Sequence, residues 1–323
     1  AGDRAAYEPS LATSLSNFGI GLSKVGRQAE ALVFDEVVVG IRRRLAAGDR
    51  AAYEPSLATS LSNFGIGLSK VGRQAEALAV TEEVVEIRRR LAAGNRTAYE
   101  PDLARSLSNL GSQLLDVGRE AEALAPAEEA VAVYRRLAAG DRTAHEPDLA
   151  RSLSNLGIGL AHAGRWDGAI TVTEEAVEIR RRLAAGNRTA CEPDLAGSLS
   201  NLGTWLLYVG RRAEAITAIE EAVAVYRRLA AGDRTAYEPD LARSLFAWAF
   251  LAAERDLPSA LRATGEAVEL YRNHVGAMPS LRPRLHRVLG LQALVLDDLG
   301  RQQEAGQIRR WLDENALSPD SHN

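Results

Sequence analysis

Five histidines, one cysteine and one recurrent asparagine are the side chains of this 323-residue chain whose chemistry has to be weighed first. His145, His162, His274, His286 and His322 never fall at metal-ligand spacing. Cys191 stands where Tyr7, Tyr53, Tyr99, His145 and Tyr237 stand in a recurring segment, which marks a packing position in a linker rather than a nucleophile. Gly19, Gly21 and Gly26 have no strand before them and no Gly-Lys-Ser after them, so close helix packing and a turn explain them better than a phosphate loop. The pairs Glu82-Glu83, Glu128-Glu129, Glu174-Glu175 and Glu220-Glu221 are neighbours that point about 100° apart on a helix, and they are expected to be solvated faces. No catalytic residue, metal ligand or cofactor is expected, and the chain reads as non-enzymatic.

The asparagines are different, because Asn17, Asn63, Asn109, Asn155 and Asn201 recur on one helical face. At about 100° per residue, Thr13, Ser16, Asn17, Ile20 and Lys24 lie together, opposite Leu11, Leu15, Phe18 and Leu22. A carboxamide both donates and accepts, so a ladder of them can hold a peptide backbone whatever side chains the peptide carries. Helices about 9–10 Å apart and a ligand advancing about 3.3 Å per residue register roughly three ligand residues per rung, or about twelve across five rungs. An alternative stays open: each Asn bonds the helix of the adjacent repeat, which duplication would copy equally well. Arg105, Arg151 and Arg243, with Lys24 and Lys70, are placed to meet acidic ligand groups. Tyr208, Phe246 and Phe250 turn the face aromatic toward the C-terminal end, either to anchor a bulky ligand side chain or to be covered by Leu291 and Leu294.

The elements that carry these residues repeat. A Glu-Pro step recurs at Pro9, Pro55, Pro101, Pro147, Pro193 and Pro239 with a spacing of 46, and Pro283 opens a seventh, divergent copy. Residues 1–32 return letter for letter at 47–78, so the array grew by duplication. A second period lies above the first: Glu-Ile-Arg-Arg-Arg at 86–90 and 178–182 alternates with Ala-Val-Tyr-Arg-Arg at 132–136 and 224–228. Leu103, Leu107, Leu110 and Leu114 predict a first helix, with Pro101 in its opening turn and Gly118 at its end. Leu124, Ala127, Val131, Tyr134 and Leu137 predict a second, ending at Gly140 in a left-handed cap. The Arg runs are expected to be solvated helix ends, with Glu86 to Arg90 and Glu178 to Arg182 as pairs within a helix. Pro126 is expected to interrupt the second helix of copy 3, and Asp256 replaces the turn glycine in copy 6. No strand pattern appears.

Leu107, Asn109-Leu110-Gly111, Leu114, Gly118, Glu122-Ala123-Leu124 and Ala130 together resemble the tetratricopeptide repeat, over seven copies covering nearly the whole chain. The 46-residue unit is similar to the long repeats of kinesin light chain and of actinobacterial signal-transduction NTPases. That resemblance implies an all-α, right-handed superhelical solenoid of antiparallel helix pairs, one array over 1–323, with first helices lining a concave wall. It also implies a protein- or peptide-binding scaffold, the sensor or docking arm of a larger regulator, and carries peptide-binding roles onto Asn17, Asn63, Asn109, Asn155 and Asn201. The rival reading is a self-assembling module that stacks end to end into dimers or filaments.

Composition excludes other classes. There are 39 basic and 43 acidic side chains for a net charge of −4, with acids interleaved among the arginines, so nucleic acid is not an expected partner. No apolar run is long enough for a bilayer, no membrane partner is expected, and a single thiol suits the cytoplasm. The only methionine is Met278 and Ala1 falls inside a linker, so a longer polypeptide is expected.

Overall fold

The computed structural model describes residues 2–316, with side chains from Tyr7 onward. Among them run fourteen α-helices and no strand: α1 (Gly2–Lys24), α2 (Gln28–Gly48), α3 (Arg50–Lys70), α4 (Gln74–Gly94), α5 (Arg96–Asp116), α6 (Glu120–Gly140), α7 (Arg142–His162), α8 (Trp166–Gly186), α9 (Arg188–Tyr208), α10 (Arg212–Gly232), α11 (Arg234–Ala252), α12 (Leu257–Val275), α13 (Arg282–Asp298) and α14 (Gln302–Glu314). They divide into two compact units, residues 1–165 and 166–323. Within each unit consecutive helices pack on one another in chain order. Odd-numbered helices are the first helix of each repeat, here called A, and even-numbered helices the second, called B.

Two kinds of joint make the fold. From A to B the chain turns through Gly26, Gly72, Gly118, Gly164, Gly210 and Gly300, whose φ of +70° to +82° is the left-handed region that a Cβ disfavours. From B to A a single residue serves both helices. Asp49, for example, is extended (φ −145°, ψ 95°), its N–H returns to the Leu45 carbonyl of α2, and its carboxylate accepts the Ala52 N–H of α3 at 3.0 Å. Asn95, Asp141, Asn187 and Asp233 repeat this. The alternation of Gly-Asn with Gly-Asp is thus an alternation between two good N-caps.

This joint corrects the expected helix boundaries. The helix that holds Pro101 begins at Arg96, so the proline is its sixth residue rather than part of its first turn, and Tyr99 and Cys191 lie inside A helices rather than in linkers. Gly140 ends α6 without entering the left-handed region, because the aspartate after it makes the cap. Pro126 is carried inside an unbroken α6. Where copy 6 lacks the turn glycine, Asp256 caps α12 by accepting the Ser259 N–H at 3.1 Å.

In copies 2 and 3 the leucine stripe is the core, as its spacing predicts: Leu103, Leu107 and Leu114 are buried, and Leu57, Ala58 and Leu61 of α3 are sandwiched by Val39 and Ala46 of α2 and Val84 and Ile87 of α4, whereas in copy 1 Leu11 and Phe18 are exposed. In the second unit Leu199, Ile219, Leu245, Tyr271, Leu285 and Val288 share one cluster.

The Arg runs are not loose helix ends. Their first member reaches the next A helix: Arg88 is buried and its Nη1 donates to the Asp102 carbonyl at 3.0 Å and to the Ser106 hydroxyl. Arg42 does the same to Ser56 and Ser60, and Arg180 to Asp194 and Ser198. The second member reaches the next B helix, pairing Arg43 with Glu83, Arg89 with Glu129, Arg181 with Glu221 and Arg227 with Glu266. The third turns back to its own A helix, where Arg90 meets Glu54 at 3.0 Å, Arg136 meets Glu100 at 2.8 Å and Arg228 meets Glu192 at 2.6 Å. Arg90 therefore does not make the expected pair with Glu86, whose carboxylate contacts Arg89 instead at 3.4 Å. Glu83, Glu129 and Glu221, second residues of Glu pairs expected to be solvated, are acceptors in this network.

Glu54 and its equivalents have a consequence for pH. Burial pushes the carboxyls of Glu54, Glu100, Glu192 and Glu238 up, but paired arginines (Arg50 and Arg90 for Glu54; Arg234 with His274 for Glu238) outweigh it and hold all four below the usual value of 4.5. A carboxylate with a depressed folded pKa contributes stability above its unfolded pKa and loses it as pH falls through the folded one. Thermal melting should therefore be flat from neutrality down to about pH 5 and fall steadily below about pH 4.5. Melts followed by circular dichroism from pH 7 to pH 3 check this. A fall already complete at pH 5 would contradict it.

Candidate functional site

Each asparagine rung lies in the second half of its A helix, Asn63, Asn109, Asn155 and Asn201 at the same place in α3, α5, α7 and α9. Asn17 and Asn109 are exposed, and Asn63, Asn155 and Asn201 are half-buried. Among the described residues the carboxamides of Asn17, Asn63, Asn109 and Asn201 make no hydrogen bond to protein, whereas Asn155 donates through Nδ2 to the Ser108 hydroxyl of the preceding A helix at 3.3 Å. The bond to the adjacent repeat's helix is thus made, among the described residues, by Asn155 alone of the five rungs. In the first unit Asn63 lines a small pocket of about 140 Å³ together with Lys24, Lys70, Ile20, Ile66 and Asp35. Burial pushes the Asp35 carboxyl up.

The arginines expected to be free for a ligand already have partners. Arg105 contacts Asp102 at 3.2 Å, Arg151 contacts Asp148, and Arg243 contacts Asp240 at 3.3 Å, each acid three residues earlier on the same helix. These pairs are largely solvated and contribute little to stability.

The second unit holds a larger pocket, about 740 Å³, walled by α9, α10, α11, α12 and α13. Asn201, Tyr208, Arg243, Phe246 and Phe250, all singled out from sequence, line it together. Phe246 is half-buried against the core cluster, Phe250 is 46% exposed and Tyr208 67% exposed. Tyr208 is not bare, since its ring stacks on Trp166 at 4.4 Å and 9°. Leu294 supplies no cover, being itself exposed, whereas Leu291 is partly buried against the same core cluster as Phe246, and α13 presents Arg284, Arg287 and Val288 to the pocket. Sequence reasoning missed those two arginines and Trp205. The available signal was the seventh Pro step, where Pro283-Arg284-Leu285-His286-Arg287 stands against Pro239-Asp240-Leu241-Ala242-Arg243.

Family models described as tetratricopeptide repeat match residues 102–182 and, in a second model, residues 11–47, 57–92 and 195–231, together more than half of the chain. The chain belongs to the tetratricopeptide repeat family. Solved structures agree on the fold. BtubC (BKLC) from P. vanneervenii matches with a TM-score of 0.56 and 22% identity over 76% of this chain and 94% of that one. The nearly identical TPR-like repeats of a Podosopora anserina kinesin light chain protein match with 0.52 and 23% over 70% and 98%. The apo form of RapI matches with 0.63 and 11% over 93% and 95%. No curated protein matches by sequence. The fold is an all-α tetratricopeptide solenoid, and such repeats serve in general as protein-interaction scaffolds. Among the described residues no helix is long and apolar enough to cross a membrane, and no group of His, Cys, Asp or Glu is arranged to hold a metal ion.

Proposed function

We propose that this tetratricopeptide array docks an extended peptide or protein segment in the concave groove lined by its A helices, as the sensor or docking arm of a larger regulatory protein. One observation carries the reading: four of the five recurrent carboxamides, those of Asn17, Asn63, Asn109 and Asn201, have their donors and acceptors unspent on the protein itself. An amide kept polar and unpaired contributes nothing to folding, and a passing backbone offers it both partners.

A peptide selected from a display library of short randomised sequences provides the probe. Asn63→Ala with Asn109→Ala should leave melting within about 0.5 kcal/mol and weaken the selected peptide by about 1–3 kcal/mol. Asn155→Ala, in contrast, removes an inter-repeat hydrogen bond and should cost about 1 kcal/mol of stability. Unchanged affinity in the double variant, with a lowered melting temperature, sinks the reading.

A further inference from the structure

The 740 Å³ pocket of the second unit is charged in a way the rest of the groove face is not. Arg243, Arg284 and Arg287 line it and no carboxylate does, in a chain whose net charge is −4. In copies 3, 4 and 6 the groove arginine is neutralised by an aspartate three residues earlier, as Asp102, Asp148 and Asp240 show. In copy 7 that place is held by Arg284, so Arg287 has a second cation beside it where its equivalents have an anion. Neither Arg284 nor Arg287 makes an ion pair or hydrogen bond among the described residues. Both lie in the first two turns of α13, where the helix's own partial positive charge also repels cations. Two unpaired guanidiniums one turn apart at a positive helix end form an arrangement that folding alone disfavours and a doubly charged anion relieves.

Next to these cations the walls are flat and apolar: Phe246, Phe250, Tyr208, Ile219 and Val288. A ring fits there without hydrogen-bonding demands on its edge, and the free carboxamide of Asn201 sits at the same pocket to take a backbone. We propose that this pocket receives a phosphotyrosine side chain of the docked segment, its ring against Phe246 and Phe250 and its phosphate dianion held by Arg284 and Arg287, with Arg243 sharing the charge. The docked segment rests on the peptide-binding reading above, whereas the phosphate-and-ring pocket stands without it. A single carboxylate supplies half the charge and fewer acceptor oxygens, so glutamate is a poor substitute.

The experiment titrates the intact chain with phenyl phosphate and with three short synthetic peptides identical except for phosphotyrosine, tyrosine or glutamate at the centre, read by calorimetry. The phosphopeptide should bind at least tenfold tighter than the other two, and Arg284→Ala with Arg287→Ala should abolish that difference. Because both arginines are exposed and unpaired, the variant should melt like the parent. Equal binding of the glutamate peptide, or a phosphate preference that survives the double variant, overturns the assignment. So does a preference for inorganic phosphate equal to that for phenyl phosphate, since the ring walls then add nothing. Should phenyl phosphate bind in an Arg284- and Arg287-dependent way while no peptide does, the pocket is upheld and the peptide reading fails. Peptides that bind through the asparagines with no phosphate preference give the reverse result.

Discussion

Arg88→Met should lower the stability of the first unit by about 1.5–3 kcal/mol, while Arg88→Tyr should recover much of that loss. The methionine keeps the buried alkyl stem but deletes the guanidinium that donates to the Asp102 carbonyl and the Ser106 hydroxyl, leaving the Ser106 hydroxyl only its own donation to the Asp102 carbonyl at 3.0 Å. Burial pushes the Arg88 guanidinium pKa down, which shows that its charge is held at a cost and sets the estimate below two full charged hydrogen bonds. Tyrosine is the chain's own alternative at this position. In copies 3 and 5 it is Tyr134 and Tyr226, both buried, with hydroxyls pushed up to about 12 chiefly by burial. In both of these joints the serine of the next A helix turns to the preceding A helix instead: Ser152 donates to Ser108 at 3.2 Å, and Ser244 lies 2.9 Å from Ser200. Ser106 in Arg88→Tyr has Ser62 available in the same way. Chemical denaturation of the two variants measures the difference, and equal losses would show that the serine does not switch partners.

That switch explains the two-copy period that is plain in the sequence and has no evident reason there. Arg-type joints and Tyr-type joints are two ways of satisfying the same serine, and copies were duplicated as a pair that already contained one of each. The helix pairing, the leucine core and the Asn face were legible because each is written in a local period of three to four residues. The arginine network was not, because its partners lie 36 and 40 residues away and a run of cations at a helix end has a sufficient local explanation. In a repeat array, however, those offsets recur, and the recurrence of Glu54, Glu100 and Glu192 opposite Arg90, Arg136 and Arg228 was the legible trace. The pocket of the second unit was half legible for a related reason. Its aromatics stand on α9 and α11, whose faces the repeat predicts, while its arginines stand on a copy that has diverged from the pattern. Divergence hides a residue's register, yet it is also where a residue stops being explained by duplication.

Gly203→Val should cost about 3 kcal/mol or more, and Gly197→Ala, six residues earlier on the same helix, should stabilise the protein by up to about 1 kcal/mol. Both glycines are helical, so the backbone conformation favours neither, and the difference lies in what a side chain meets. A Cβ at Gly203 collides with Ile219 Cγ1 and falls 3.0 Å from its Cδ1 and 3.3 Å from the Ala215 carbonyl of α10. Ile219 is fully buried and its one open side is the pocket that it lines, while the Ala215 carbonyl behind it is fixed by its own hydrogen bonding. α9 and α10 would have to separate, which loosens the wall that places Asn201 and Tyr208 at the pocket. At Gly197 the nearest atom is the Tyr226 hydroxyl at 3.7 Å, an ordinary contact, and an alanine there removes only the conformational freedom of glycine in the unfolded chain. Copies 3, 4 and 6 already carry Arg105, Arg151 and Arg243 at that position, so the helix accepts a side chain there. Denaturant melts of the two single variants decide the matter. If Gly203→Val melted within about 0.5 kcal/mol of the parent, the close approach of α9 to α10 would not be what fixes this end of the groove face.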